Sequence, residues 1–143
     1  MRQQPRLLNV GIGSDERPTP DEIFTPLHQE FRFTIDVAAD NDNAKCERFY
    51  TMHDDGLSQD WSGEIVWCNP PYSETRLWVE KAKSASATTV MLLPVATDVG
   101  WFHDCVLGHA EIRWVRGRIK FAGKRFNAPF ASMIVIFRNM GGG

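Results

Sequence analysis

The run Glu64-Ile65-Val66-Trp67-Cys68 is short, apolar and rich in strand-forming side chains, and it stops against Asn69-Pro70-Pro71-Tyr72. Two successive prolines cannot donate to a ladder, so a strand must end there. From Glu74 to Ala87 the period changes: Leu77, Trp78, Lys81 and Ala85 fall at helical spacing. Thr89-Val90-Met91-Leu92-Leu93-Pro94 then returns to a short apolar run. Strand, helix, strand at this spacing predicts parallel pairing through a crossover helix, and hence an α/β layered fold.

The flanking segments extend the pattern. Thr19-Pro20-Asp21-Glu22 leads into Ile23, Phe24, Leu27 and Phe31, an apolar set at helical spacing. Pro20 suits a first helical turn and the acids suit its dipole, whereas Pro26 threatens to split or shorten the helix. Phe33 to Ala39 reads as a strand, Asp40 to Tyr50 as irregular chain or a short helix, and Asp54-Asp55-Gly56-Leu57 as a turn. Asp98 to Leu107 reads as a helix ended by Gly108. Glu111–Arg116, Arg118–Phe121 and Ser132–Phe137 read as three strands, with a loop over Ala122–Ala131. The early strands should be parallel and the last ones an antiparallel edge. Residues 1–16 read as a loose arm and the glycines at 141–143 as a frayed end, so a single compact domain over 1–143 is expected.

At 143 residues, 43% hydrophobic and 24% charged, the chain can bury a core and is not of disordered composition. No apolar run approaches a membrane span, and the N-terminus lacks the pattern of a signal peptide. Cys46, Cys68 and Cys105 form no Cys-x-x-Cys pair, and His28, His53, His103 and His109 show no ligand spacing. Neither a disulfide framework nor a metal site is expected, and a cytoplasmic location is. The net charge of −2 conceals an asymmetry. Residues 1–60 carry 6 basic and 12 acidic side chains, residues 61–143 carry 10 and 6. Arg113, Arg116, Arg118, Lys120, Lys124, Arg125 and Arg138 lie in a stretch from Ile112 to Arg138 that holds no acid. Such a stretch suits a phosphate-bearing partner, although a solvated surface has the same composition.

After a buried strand in an α/β chain, Asn69-Pro70-Pro71-Tyr72 resembles motif IV of the amino-methyltransferases that act on adenine, cytosine or a glutamine amide. The residue types match the chemistry. An exocyclic amino group is a poor nucleophile because its lone pair is delocalised into the ring. Two fixed acceptors, the Asn69 side-chain oxygen and the Pro70 carbonyl, would take its N–H bonds and aim the lone pair at a methyl group. Pro70 and Pro71 stiffen the backbone that holds these acceptors. Tyr72 offers a stacking face, worth roughly 1–3 kcal/mol per base in single-strand binders. A duplex base would have to be flipped out to reach such a pocket.

Over Thr19 to Phe137 the chain resembles the phage-type DNA N6-adenine methyltransferases, the Dam family of phages. The resemblance rests on Thr34-Ile35-Asp36-Val37-Ala38-Ala39, Asn43-Ala44-Lys45-Cys46, Asp55-Gly56-Leu57-Ser58-Gln59-Asp60-Trp61 and Val66-Trp67-Cys68-Asn69-Pro70-Pro71-Tyr72-Ser73. Trp78-Val79-Glu80-Lys81-Ala82, Met91-Leu92-Leu93-Pro94, Trp101-Phe102-His103, Arg116-Gly117-Arg118-Ile119-Lys120-Phe121 and Ala128-Pro129-Phe130-Ala131-Ser132-Met133 add to it. It implies a Rossmann-like fold that binds S-adenosylmethionine, with a mixed, mainly parallel sheet, antiparallel C-terminal strands and flanking helices. It implies that Thr19-Pro20 contacts the methionine end of that cofactor, that Asp36 and Ala38 belong to its binding turn, and that Asp60 accepts from its adenine amine. DNA is the implied partner; the loop from Arg116 to Phe130 is the expected contact, with Arg116, Arg118, Lys120, Lys124 and Arg125 suited to its backbone and Phe126 and Phe130 to stacking.

Two departures stand out. Ala38-Ala39-Asp40 replaces the usual Gly-x-Gly turn, and 23 residues between Asp36 and Asp60 are few for a helix, a second strand and a ribose-binding acid. Asp40, Asp54 and Asp55 remain equal candidates for that acid. Only 71 residues follow Tyr72, so a separate target-recognition domain is not expected, and loops or a homodimer would have to supply DNA reading. Two rival readings share the motif: a glutamine-amide protein methyltransferase, and a decayed homologue that only binds DNA or protein.

Overall fold

The computed structural model describes residues 18–121 and 123–140; the arm expected over residues 1–16 and the glycines at 141–143 lie outside them. Five strands form one sheet in the order β1-β2-β3-β5-β4: β1 Ile35–Asp36, β2 Ile65–Cys68, β3 Thr88–Pro94, β4 Glu111–Trp114 and β5 Ser132–Arg138. β1, β2 and β3 are parallel, and β5 runs antiparallel between β3 and β4. The expected mixed α/β sheet is therefore present. Beside β1, Phe49 makes a parallel bridge to Asp36, with Tyr50 N–H donating to the Asp36 carbonyl at 2.9 Å. The chain thus leaves β1 outward to Phe49 and then returns to the opposite side of β1 as β2. The crossover between them over Asp40–Arg48 is irregular and contains no helix.

Alternation along the strands sorts the core onto two faces. Val66 and Cys68 of β2, Met91 and Leu93 of β3, and Met133, Val135 and Phe137 of β5 share one face. It is covered by Trp78, Val79 and Ala82 of helix α2, Thr75–Ser84, and by Phe102, Cys105 and Val106. Trp67, Val90, Leu92, Ile134 and Ile136 point the other way, under Phe24 and Leu27 of helix α1, Asp21–Phe31. Burying each such side chain contributes roughly 1.5–3 kcal/mol.

Helix α1 takes Pro20 as its extended N-cap rather than in its first turn, and the Pro20 carbonyl accepts from Ile23 and Phe24 at 3.0 and 3.1 Å. Pro26 leaves the helix unbroken, although it removes the bond to the Glu22 carbonyl; burial of Phe24 and Leu27 on its inner face outweighs that loss. Arg113 and Arg138 both lie over the Phe31 ring, and Arg113 pairs with Glu30 at 2.7 Å, which ties the end of α1 to β4 and β5.

Three expectations change. The strand expected over Phe33–Ala39 narrows to two residues, because the chain turns away after Val37 donates to the Trp67 carbonyl. The helix expected over Asp98–Leu107 is present but shorter, over residues 100–106, with Phe102–Val106 in wide π-helical winding. Arg118–Phe121 is not a strand. Gly117 adopts φ +76°, a conformation that suits glycine, and carries the chain out of the ladder after Val115 donates to Ser132 at 3.1 Å. Ile119 and Phe121 then pack side by side onto the sheet face beside Ala128. Two apolar positions spaced by two satisfy that packing as well as they satisfy a strand. Among the described residues no helix is long and apolar enough to cross a membrane.

Candidate active site

The strand order places a switch point between β1 and β2, since the connection from β1 leads outward and β2 lies on its other side. Ligands of open α/β sheets gather at such a point, outside the carboxyl ends of the strands. The carboxyl end of β2 is Cys68, and Asn69 follows it directly. The Asn69 side-chain nitrogen donates to the Thr19 hydroxyl at 3.0 Å across 50 residues of sequence, and Thr19 is 2% exposed. A carboxamide whose nitrogen is committed in this way has its oxygen turned to the other side.

Pro70 is buried, and Pro71 caps a 3-10 turn over Tyr72–Glu74 in which Glu74 N–H donates to the Pro71 carbonyl at 3.0 Å. The Thr75 hydroxyl donates to the Tyr72 carbonyl at 2.9 Å as α2 begins. Asn69 to Tyr72 is thus held between a strand end and a helix start. The Tyr72 ring lies 4.9 Å from the Phe130 ring, centre to centre, tilted by 54°. Phe130 in turn lies 6.4 Å from Phe121, so the basic C-terminal loop reaches the strand-end motif.

At the end of β1, Asp36 is 3% exposed, and its carboxylate accepts the Ala38 N–H at 3.2 Å and the Lys45 N–H at 2.9 Å. Burial pushes its pKa up to about 6, against the pull of those two backbone bonds and the Lys45 charge. Asp36 therefore ties the strand end at Ala38 to Lys45 within the irregular crossover. Gly56 packs so closely on this strand end that a Cβ there would lie 2.3 Å from the Val37 carbonyl oxygen. Asp55, the residue before it, has a left-handed backbone at φ 55°. Asp40 accepts from the backbone and side chain of Asn43, and Asp54 closes a turn onto Thr51.

Asp60 lies elsewhere. It is exposed and precedes β2, accepts from Ser62 N–H at 2.9 Å, and is held below the usual carboxylate range by Ser62, with Lys81 helping. That is the amino end of β2; the four residues of the strand span about 13 Å. The structure gathers Thr19, Pro20, Asp36, Ala38 and Asn69–Tyr72 at one edge and leaves Asp60 at the other. Next to Asp55, one of the three acids weighed for the ribose, only glycine admits the approach of position 56 to Val37. Arg116, Arg118, Lys120 and Arg125 are exposed and Lys124 is half-buried, all on the segment that leads to Phe130. Burial raises the thiols of Cys46 and Cys68, the former to about 11, so neither is a reactive thiolate.

A strand-end motif of this geometry on a mixed α/β sheet fits a methyltransferase class of site, and comparison with known proteins gives the family. The model of the family described as DNA N-6-adenine-methyltransferase (Dam) matches residues 12–142, and the chain belongs to that family. It is similar to the DNA N-6-adenine-methyltransferase of Haemophilus phage HP1, 37% identical over 110 residues that cover 72% of this chain and 64% of the relative. The DNA N-6-adenine-methyltransferase of Escherichia phage T1 is 33% identical over 102 residues, 68% of this chain and 43% of the relative. The putative methyltransferase YfdM of Escherichia coli is 40% identical over 81 residues, 50% of this chain and 86% of the relative. The chain thus spans less than two thirds of the length of both phage relatives.

Proposed function

We propose that this chain transfers a methyl group from S-adenosylmethionine to the N6 amino group of adenine in DNA. The observation that supports the reading is the buried Thr19 hydroxyl, which accepts from the Asn69 amide nitrogen and so would let the amide oxygen serve as an acceptor together with the Pro70 carbonyl. The family and the names of its phage relatives support the choice of adenine and DNA.

The residues at the switch point fit the cofactor. Ala38 and Ala39 put small side chains at the end of β1, Asp36 fixes the backbone there, and Asp55 precedes the glycine packed against Val37. Thr19-Pro20, Ala38 and Asp55 would hold it, and it would supply a sulfonium methyl with a neutral thioether as leaving group. Asn69 and Pro70 accept the two N–H bonds of a flipped adenine and turn its lone pair out of conjugation. Tyr72, backed by Phe130, stacks on the base. Held by Asn69 and Pro70, the amine would take the methyl that the cofactor supplies and lose its surplus proton to solvent. Little general-base help is needed, so in-line positioning carries most of the acceleration. Arg116, Arg118, Lys120, Lys124 and Arg125 bind phosphates and fix the register of the duplex. Such an enzyme works in the cytoplasm of a bacterial host.

Transfer of labelled methyl from S-adenosylmethionine to unmethylated DNA, followed by nucleoside analysis, tests the reading. The expected product is N6-methyladenine. Label in N4-methylcytosine would refute the choice of base, and label only in a glutamine-bearing protein acceptor would refute DNA.

A further inference from the structure

We propose that Phe126 enters the DNA duplex beside the target adenine and holds the gap that the flipped base leaves. The proposal rests on the reading of the chain as a DNA adenine methyltransferase. Phe126 is 75% exposed, above Leu77 at 48%, Leu107 at 51% and Trp114 at 62%. A phenyl ring so exposed gains by leaving water only when a partner covers it.

The loop that carries the ring has a fixed base. Ala128 N–H donates to the Ile119 carbonyl at 2.7 Å and Lys124 N–H to the Phe121 carbonyl at 3.0 Å. Ile119, Phe121 and Ala128 are buried on the sheet. The tip therefore projects from an anchored frame. Its charge selects the partner. The Arg125 guanidinium lies 5.5 Å from the Phe126 ring centre, Lys124 precedes it, and no acid occurs from Ile112 to Arg138. A single ring set among cations matches a stacked base flanked by phosphates better than an apolar protein surface.

Position completes the argument. Phe130, four residues on, touches Tyr72 of the base pocket. Four residues of chain reach at most about 14 Å, comparable to the roughly 12 Å width of the major groove. One loop thus carries a ring at the pocket wall and a second ring four residues away along the chain. Apolar side chains that insert between base steps stabilise the unstacked duplex. A ring in the vacated place would lower the cost of flipping, a cost that single-stranded DNA does not carry.

The test compares methyl transfer into native and heat-denatured unmethylated DNA at one ionic strength, for the wild-type chain, Phe126→Ala and Phe126→Trp. The proposal expects Phe126→Ala to lose about tenfold or more on native DNA and less than about twofold on denatured DNA, with Phe126→Trp close to wild type on both. Equal loss on both substrates, or none, would overturn the insertion role. Wild-type transfer into denatured DNA alone would also overturn it and leave the DNA reading standing. No wild-type transfer into either would overturn the function on which the proposal rests.

Discussion

Replacing Thr19 by Val keeps the shape of a side chain that is 2% exposed and removes the oxygen that accepts from Asn69 at 3.0 Å. The half-buried amide nitrogen would then lack this partner, at a cost of about 1–3 kcal/mol, and its oxygen would no longer be aimed. If that energy is lost in the transition state, kcat falls about 5- to 160-fold. The assay is steady-state methyl transfer at saturating DNA with the cofactor varied, beside a thermal melt to register any loss of fold. Thr19→Ser, which keeps the hydroxyl, should stay within about threefold of wild type. Thr19→Val at wild-type kcat would refute the orienting role. A rise in KM for the cofactor with kcat unchanged would leave Thr19 with the cofactor contact alone and remove its role in orienting Asn69.

Gly56→Ala would place a Cβ 2.3 Å from the Val37 carbonyl oxygen, and relieving that overlap should destabilise the fold by about 1–3 kcal/mol, read as a lowered melting temperature. Asp36 titrates near pH 6 when folded and near 3.8 when unfolded, so the folded state holds its proton longer. The contribution of Asp36 to stability is therefore full below pH 3.8 and is lost as pH rises through about 6. The loss is on the order of 3 kcal/mol. Urea titrations across this window should show that slope in the wild type and not in Asp36→Asn. Glu30, Glu64 and Glu111 are shifted down by their arginine partners and give the opposite slope at lower pH. Lys124→Ala with Arg125→Ala should weaken DNA binding and reduce the slope of log affinity against log salt by about 1.8; an unchanged slope would remove both residues from the phosphate contacts.

The catalytic strand and its motif were legible because Val66-Trp67-Cys68 must end where Pro70 and Pro71 stand, whatever the rest of the chain does. The helix after it and the strand of Val90–Leu93 were legible because period and burial agree there. Ile119 and Phe121 misled because spacing by two marks any extended segment on an apolar face, paired or not. Asp60 took its expected role from the resemblance alone, although its place before the strand Ile65–Cys68 already puts it toward the amino end, away from Asn69. The pairing of Thr19 with Asn69 spans 50 residues and leaves no local trace. Asp40, Asp54 and Asp55 stood equal in the sequence, because the small size of Gly56 matters solely through Val37 lying against it.

The most direct measurement is methyl transfer to unmethylated DNA by wild type and Asn69→Ala, with cofactor binding to each measured by calorimetry. The account predicts N6-methyladenine from the wild type, a loss of about 100-fold or more in the variant, and cofactor affinity in both within about threefold. Near-normal turnover by Asn69→Ala would contradict the acceptor role on which the account depends.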